Sequence, residues 1–407
     1  MEFMGYRRPN GSVGVRNYIA VIPSVFCAGK TAERIAAQIP DCVALRHPVG
    51  CGQVGWDFEL TARTLIAMGT HPNVAAVLVV GLGCERFRPE ELYNGIKQSG
   101  KPVEMLVIQE EGGTEATIEK GRAIVRKFAD YASGLKREPC PLSELTVALK
   151  CGGTDATSGL AANPAVGNMS DRIVAMGGSC ILSELNELLG TEDMLAERAE
   201  TPEVRNKIYK AISEIEETLR HGRDITLGEA RNELISPGNF YGGVSSVVEK
   251  AMGGVHKGGT SPIVDVLDYA VPPGNDKHGL FLMDYESHDG EVVTGMLGCG
   301  AQITVFTTGR GNPTGHPIAP VIKVTGNTYT YQKMKGNFDY LADGIIAGRH
   351  TVEQEGKELL DMVLRVANGE LTSAEKINGD ELFCIARRHG CKRSDFVGQI
   401  ACDKNCS

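Results

Sequence analysis

The sequence predicts an α/β protein made of two open, mostly parallel, doubly wound domains. Three observations carry this. Short apolar runs alternate with amphipathic stretches at helical spacing, as βα units do. Glycine makes up 50 of the 407 residues, and most of it lies in short clusters between those runs, where backbone must turn tightly. Cysteine then recurs just past four of the runs. Cys27 follows Tyr18-Ile-Ala-Val-Ile-Pro, Cys51 follows the short run Cys42-Val-Ala-Leu, Cys84 follows Val77-Leu-Val-Val-Gly-Leu-Gly, and Cys151 follows Leu145-Thr-Val-Ala-Leu-Lys.

In chain order, Tyr18–Pro23 reads as a strand and Lys30–Gln38 as a helix with Thr31 as its cap. A short strand at Asp41–Leu45, a helix at Glu59–Met68 and a strand at Ala75–Val80 follow, then a helix at Pro89–Gln98 and a strand at Val103–Ile108. Thr114–Tyr131 is a long amphipathic helix. Gly134–Leu142 is polar and proline-bearing, reads as irregular, and sets the boundary between a Rossmann-like domain (1–140) and a second α/β domain (141–407). The alternation restarts with strands at Leu145–Leu149 and Ser179–Leu182 flanking a helix at Ala165–Met176. A charged helical region spans Thr191 to Arg220, and a glycine-rich middle follows. Strands at Gly279–Asp284, Gln302–Thr307 and Val321–Val324 come next, then helices at Tyr340–Ala347 and Val352–Asn368.

Composition excludes several classes of function. A formal net charge of −9 gives no global attraction to nucleic acid or an anionic membrane. The first residues, Met-Glu-Phe-Met-Gly-Tyr-Arg-Arg, contain no apolar core of a signal peptide. The longest apolar stretch, around Val74 to Leu82, is too short to span a bilayer. Twelve cysteines in such a chain read as thiols or ligands in a reducing compartment, not as a disulfide framework. The expectation is a soluble, cytoplasmic protein.

In open parallel sheets, ligands bind outside the carboxyl ends of the strands. Cys27, Cys51, Cys84 and Cys151 are therefore expected to converge there as ligands of a soft metal, most plausibly iron, against the alternative of buried small hydrophobes. Cys299 is a fifth candidate. His47 is a ligand or a general base, and Glu184, Lys250 and Lys257 are further candidates for the base. Arg310 in Thr-Gly-Arg-Gly suits a bidentate clamp on a carboxylate. Asp155 and Ser158 follow a Cys-Gly-Gly turn, where they contact substrate or cap a helix; Arg16 and Asn17 are weaker substrate-binding candidates. A nucleotide-dependent oxidoreductase is disfavoured. The turn after the first strand reads Pro23-Ser-Val-Phe-Cys-Ala-Gly and lacks the glycine spacing that admits a pyrophosphate.

The chain carries, in order, Gly5-Tyr-Arg-Arg-Pro-Asn-Gly-Ser-Val-Gly-Val-Arg-Asn, Arg46-His-Pro-Val-Gly-Cys-Gly-Gln, Gly81-Leu-Gly-Cys-Glu, Cys151-Gly-Gly-Thr-Asp-Ala-Thr-Ser-Gly, Ser183-Glu-Leu-Asn-Glu and Phe306-Thr-Thr-Gly-Arg-Gly-Asn-Pro. In this order the motifs resemble the large, catalytic portion of the altronate/galactarate dehydratase family, from about Gly5 to Asn368. The resemblance implies an iron-dependent lyase, holding Fe2+ or an iron–sulfur cluster, that dehydrates a sugar acid or related hydroxy acid. In a related branch it releases sulfite from sulfolactate. It further implies a separate small subunit in place of the family's small N-terminal domain, and an oligomer. A non-catalytic metal-binding subunit is the remaining alternative.

Overall fold

The structure is a computed structural model that describes residues 1–222, 235–274, 276–380 and 383–387. The chain opens with β1 (Glu2–Arg7) and the short β2 (Val13–Gly14), which pair antiparallel. A four-stranded parallel sheet follows. Its strands are β3 (Tyr18–Pro23), β4 (Cys42–Ala44), β5 (Val74–Gly81) and β6 (Val103–Val107), in the order β4-β3-β5-β6. All eight residues of β5 are buried, which explains its unbroken apolar run: both faces of a parallel sheet are covered. Alternate residues serve opposite sides. Val21, Leu78 and Val80 meet Ile35, Ile118 and Val125 of helices Gly29–Ala36 and Thr114–Gly134. Ile22, Val77 and Val79 meet Leu65 and Met68 of helix Gly55–Thr70 and Leu92 of helix Pro89–Lys97.

The segment expected to be irregular contains β7 (Glu138–Pro141), antiparallel to β1, with Phe3 opposite Cys140. Strand β7 lies at the edge of a three-stranded sheet, and an edge tolerates the missing N–H of Pro139 and Pro141. The second large sheet has seven parallel strands. They are β8 (Thr146–Cys151), β9 (Ser179–Leu182), β10 (Ile263–Leu267), β11 (Leu280–Met283), β12 (Ile303–Thr307), β13 (Val321–Thr325) and β14 (Tyr340–Leu341). Their order is β10-β11-β9-β8-β12-β13-β14. From β8 the chain places β9 beside it, then β10 at the far edge with β11 between β10 and β9, and returns to place β12 on the other side of β8. The crevice between the carboxyl ends of β8 and β12 is thus the topological switch point.

Helices Asn163–Ala175, Val247–Lys257 and Val352–Ala367 pack together, two of them contributing Ala165, Ile173, Leu359 and Val363 to one core. Helix Asp289–Gly298 lies with helix Gly55–Thr70 in the other, so Leu65 and Met68 share a core with Ile181, Phe281 and Met283. The two large sheets are therefore joined by packing. They are also stapled at the amino ends of their strands. The Asn73 amide donates to the carbonyls of Gln302 (2.9 Å) and Ile318 (3.0 Å), and a His71 ring nitrogen meets Ala301 O at 2.9 Å.

Several expected elements differ. Tyr340–Ala347 is not a helix; β14 pairs with β13 there and turns follow. The charged helical region splits into Glu192–Glu197 and Pro202–Gly222, with Pro202 opening the second helix, where proline's missing N–H is harmless. Thr31 is buried within its helix, whose N-cap is Ala28. No helix among the described residues is long and apolar enough to cross a membrane.

Candidate active site

Strand β8 ends in Lys150-Cys151 and β9 is followed by Ser183-Glu184, so adjacent parallel strands deliver these side chains to one crevice. Glu184 is buried and adopts φ 68°, a left-handed backbone that non-glycine residues hold only at the expense of strain. Its carboxylate is the hub of the crevice. One oxygen lies 2.5 Å from Lys150 Nζ and accepts from Ser287 Oγ at 3.1 Å. The other accepts from Lys257 Nζ at 3.1 Å and from the Cys151 amide at 2.7 Å.

Lys150 also pairs with Asp289 at 2.8 Å, and the Asn312 side chain holds the second Asp289 oxygen at 2.8 Å. Lys250 reaches Cys151 Sγ at 3.1 Å and Glu187 at 2.9 Å, and donates to Thr154 Oγ1. Burial opposes charge on both lysines. For Lys150, Glu184 and Asp289 outweigh it; for Lys250, Cys151, Glu187 and Glu184 do; both stay above the ordinary lysine value. Burial likewise opposes the Glu184 charge, but Lys150 and Lys257 hold that carboxyl below its ordinary value. The result is a buried lattice of three lysines and two glutamates, and charged groups taken out of bulk solvent act strongly on charge that develops beside them.

The other expected residues fall into distinct places. Asp155 lies beside this lattice, but it is a turn-former. Its oxygens accept from Thr157 Oγ1 (2.7 Å), Ser158 N (3.0 Å) and the Asn327 amide (2.7 Å). Arg310 is exposed, with its stem against Gly153. Arg16 lies elsewhere, paired with Glu375 at 2.7 Å, and Asn17 binds Arg8 and Ala132 O. Both tie the first strands to other parts of the chain.

His47 is buried and closed by backbone. One ring nitrogen lies 2.7 Å from Pro23 O and the other accepts from Val49 N, and burial lowers its pKa to about 4. Cys299 is also buried, and burial pushes its thiol up to about 12. Cys384 is half-buried against Gly290; Cys391, Cys402 and Cys406 lie outside the described residues.

The four expected thiol ligands do not form one set. Cys27, Cys51 and Cys84 are exposed on the rim of the four-stranded sheet, whereas Cys151 is buried in the other sheet beside an ammonium. The reason is topological, because β8 does not belong to the sheet of β3, β4 and β5. The three rim loops are tied to one another. Phe26 N donates to Val49 O at 2.9 Å, and Ser24 Oγ donates to Glu85 at 2.5 Å. Glu85 also takes the amides of Leu82 and Gly83. Burial opposes the Glu85 charge, yet these donors hold it below the ordinary carboxylate value.

No three of the four thiols lie within 4.8 Å of one another; among the described residues only His350, Glu355 and Glu358 form such a group. Thiolate–metal bonds of about 2.3 Å keep the sulfurs of one ion within roughly 4.6 Å. One ion on these thiols therefore does not fit.

Lys150, Glu187, Asp289 and Lys323 escaped the sequence reading. A lysine inside a strand buried on both faces was the signal for Lys150 and Lys323, since such a charge needs a partner. Asp289 lines a cavity of about 260 Å³ with Thr294, Thr314, His316 and Phe383. Phe383 lies edge-on to His316 and His47, so this cavity reaches from the charged lattice toward the first sheet. A larger cavity, about 590 Å³, lies at the ends of β10 and β11. Its Lys207 is neutralised by Asp265, and it contains none of the lattice residues.

An α/β enzyme with buried charges at the carboxyl ends of the central strands of a parallel sheet is the class that fold and site define. Comparison with known proteins places it further. Residues 5–133 match the D-galactarate dehydratase/altronate hydrolase second domain, and residues 142–390 the D-galactarate/altronate dehydratase C-terminal domain. The chain is 39% identical over 386 residues to the (2R)-sulfolactate sulfo-lyase subunit beta of Chromohalobacter salexigens, covering 95% of this chain and 97% of that one. It is 35% identical to the altronate dehydratase of Bacillus subtilis, covering 93% and 76%. It is 33% identical to the galactarate dehydratase (L-threo-forming) of Escherichia coli, covering 90% and 73%. The chain belongs to the D-galactarate/altronate dehydratase family and is a lyase.

Proposed function

We propose that this chain is the large subunit of a lyase that dehydrates a sugar acid or related 2-hydroxy acid to a 2-oxo acid. The single observation that carries this is the buried lattice of Lys150, Lys250 and Lys257 around Glu184 and Glu187. Removing the proton beside a carboxylate creates a dianionic enolate, and fixed ammonium groups in a buried crevice stabilise that charge without reorganising. Glu184 holds Lys150 and Lys257 in place, and Glu187 holds Lys250.

Sulfite release from sulfolactate is the second reading, favoured by the 97% coverage of a sulfo-lyase subunit. That relative's name, subunit beta, also supports our proposal of a separate small partner. The iron proposal narrows to a cluster on Cys27, Cys51 and Cys84, where it would supply Lewis acidity to the leaving group.

The test is turnover of D-altronate, galactarate and (2R)-sulfolactate by anaerobically purified protein, alone and with a co-expressed small subunit. A 2-oxo acid without sulfite supports dehydration, and equimolar sulfite supports the second reading. No product from any of these, with metal content and absorption spectrum recorded on the same sample, would count against both.

A further inference from the structure

None of the four residues first considered as a base is poised to remove a carbon-bound proton. His47 is closed off by backbone, Glu184 is doubly paired, Lys257 is bound to Glu184 at 3.1 Å, and Lys250 is held charged. A different lysine is better placed. In the seven-stranded ladder Lys150 on β8, Phe306 on β12 and Lys323 on β13 are consecutive partners, so their side chains leave the same face of the sheet. Both ammonium positions lie over the Phe306 ring, at 5.0 Å for Lys150 and 4.9 Å for Lys323.

The two lysines differ in company. Lys150 has Glu184 and Asp289 in ion-pair contact. Lys323 forms no ion pair among the described residues, although its side chain is fully buried, and its Nζ donates to Thr314 O. The charged groups facing it are Asp339 ahead of β14, Asp289 on helix Asp289–Gly298, and Lys150. The Asp339 carboxylate is occupied by the amides of Lys323 and Ser373. Thr314 and Asp289, the acceptor of Lys323 and the partner of Lys150, line the same cavity of about 260 Å³.

We propose that Lys323 is the general base of the elimination, taking the proton from the carbon that bears the substrate's carboxylate while Lys150 remains a fixed cation opposite it. This assignment rests on the lyase reading. The C–H bond breaks and its proton goes to the Nζ lone pair, forming an ammonium. The C–H electron pair becomes the C=C bond of an enol as the bond to the leaving group breaks. That group departs with its electrons, as sulfite or as hydroxide that takes up a proton to give water, and the enol then ketonises.

Burial lowers the Lys323 pKa to about 8, aided by Lys150 and opposed by Asp339 and Asp289, while Lys150 is driven the other way. Like groups pushed apart by their surroundings mark a base and a fixed charge. A base must be neutral to act, so kcat/KM should rise with pH and level off above about 8.

The experiment compares wild type with Lys323→Met and Lys323→Arg on whichever of D-altronate, galactarate or (2R)-sulfolactate the wild type turns over. The expected result is a loss in kcat of at least about 100-fold in both variants. Deuterium wash-in from D2O at the substrate's C2 should vanish, while substrate affinity measured by calorimetry stays near the wild-type value. Either variant keeping more than a tenth of kcat overturns the assignment and leaves the lyase reading standing. If both variants misfold, the wild-type pH profile decides, and a flat profile from about pH 6 to 9 overturns it. A wild type inactive on all three substrates removes the lyase reading, and this base with it.

Discussion

Replacing Glu184 by Gln removes one negative charge from between two buried ammonium groups. Lys150 keeps Asp289 at 2.8 Å, whereas Lys257 forms no other ion pair among the described residues. At an effective dielectric constant of 20, each contact near 3 Å is worth about 5 kcal/mol gross, most of it offset by the desolvation of the charges. Breaking a buried pair at one partner typically costs about 3–5 kcal/mol. The lower end applies here, because Gln is isosteric and Lys150 retains a carboxylate, so the variant should lose about 3 kcal/mol. Glu184→Gln combined with Lys257→Met removes the stranded ammonium and should recover about half of that. Urea unfolding followed by far-ultraviolet circular dichroism at pH 8 reads both. A single variant within about 0.5 kcal/mol of wild type, or a double variant no better than the single, would refute the view of Glu184 as the hub.

Other outcomes follow from the same structure. Burial lowers His47 to about 4 and His71 and His316 to about 3, so each stays neutral when folded but protonates near 6.5 when unfolded. Their contribution is complete above that value and is lost as the pH falls below it, at about 1.4 kcal/mol per pH unit for each histidine. Urea midpoints should therefore drop steeply from pH 6 to 4, and His316→Gln should flatten the slope. Serine at Cys27, Cys51 or Cys84 should lower iron content in protein purified or reconstituted anaerobically, whereas Cys151→Ser should leave it unchanged; equal retention in all four would remove the cluster proposal. Gly50 has φ 103°, and a Cβ there would stand 2.3 Å from Ser24 O, so Gly50→Ala should destabilise by more than about 1 kcal/mol in thermal melts.

The central strands were legible because parallel strands covered on both faces become unbroken apolar runs; β3, β5, β9 and β12 all announce themselves this way. Strands β1 and β7 did not, because Met4-Gly5 and Pro139-Cys140-Pro141 look like breaks until each supplies the other's hydrogen bonds. Two helices hid in glycine-bearing sequence. In Val247–Lys257, a Cβ on Gly254 would stand 2.8 Å from the end of the Leu188 side chain, which would have to shift. Asp289–Gly298 opens on Asp289-Gly290 and was likewise unmarked.

Within the site, Glu184, Lys250 and Lys257 were visible as charges among glycines and strand ends. Their pairing was not, because Glu184 and Lys257 lie 73 residues apart and meet only through packing of helix against sheet. Equal strand-end positions made four thiols look equivalent. Strand order, which sequence does not express, assigns Cys151 to a different sheet from the other three.

The staple through Asn73, His71 and the carbonyls of Ala301, Gln302 and Ile318 sits at the amino ends of the strands, opposite the reactive rim. It fixes the placement of the two sheets relative to each other at that end by bonds to backbone. At the carboxyl ends the connection is of another kind: the Phe383 ring lies between His47 and His316 and joins the first sheet to the charged crevice by side-chain packing alone.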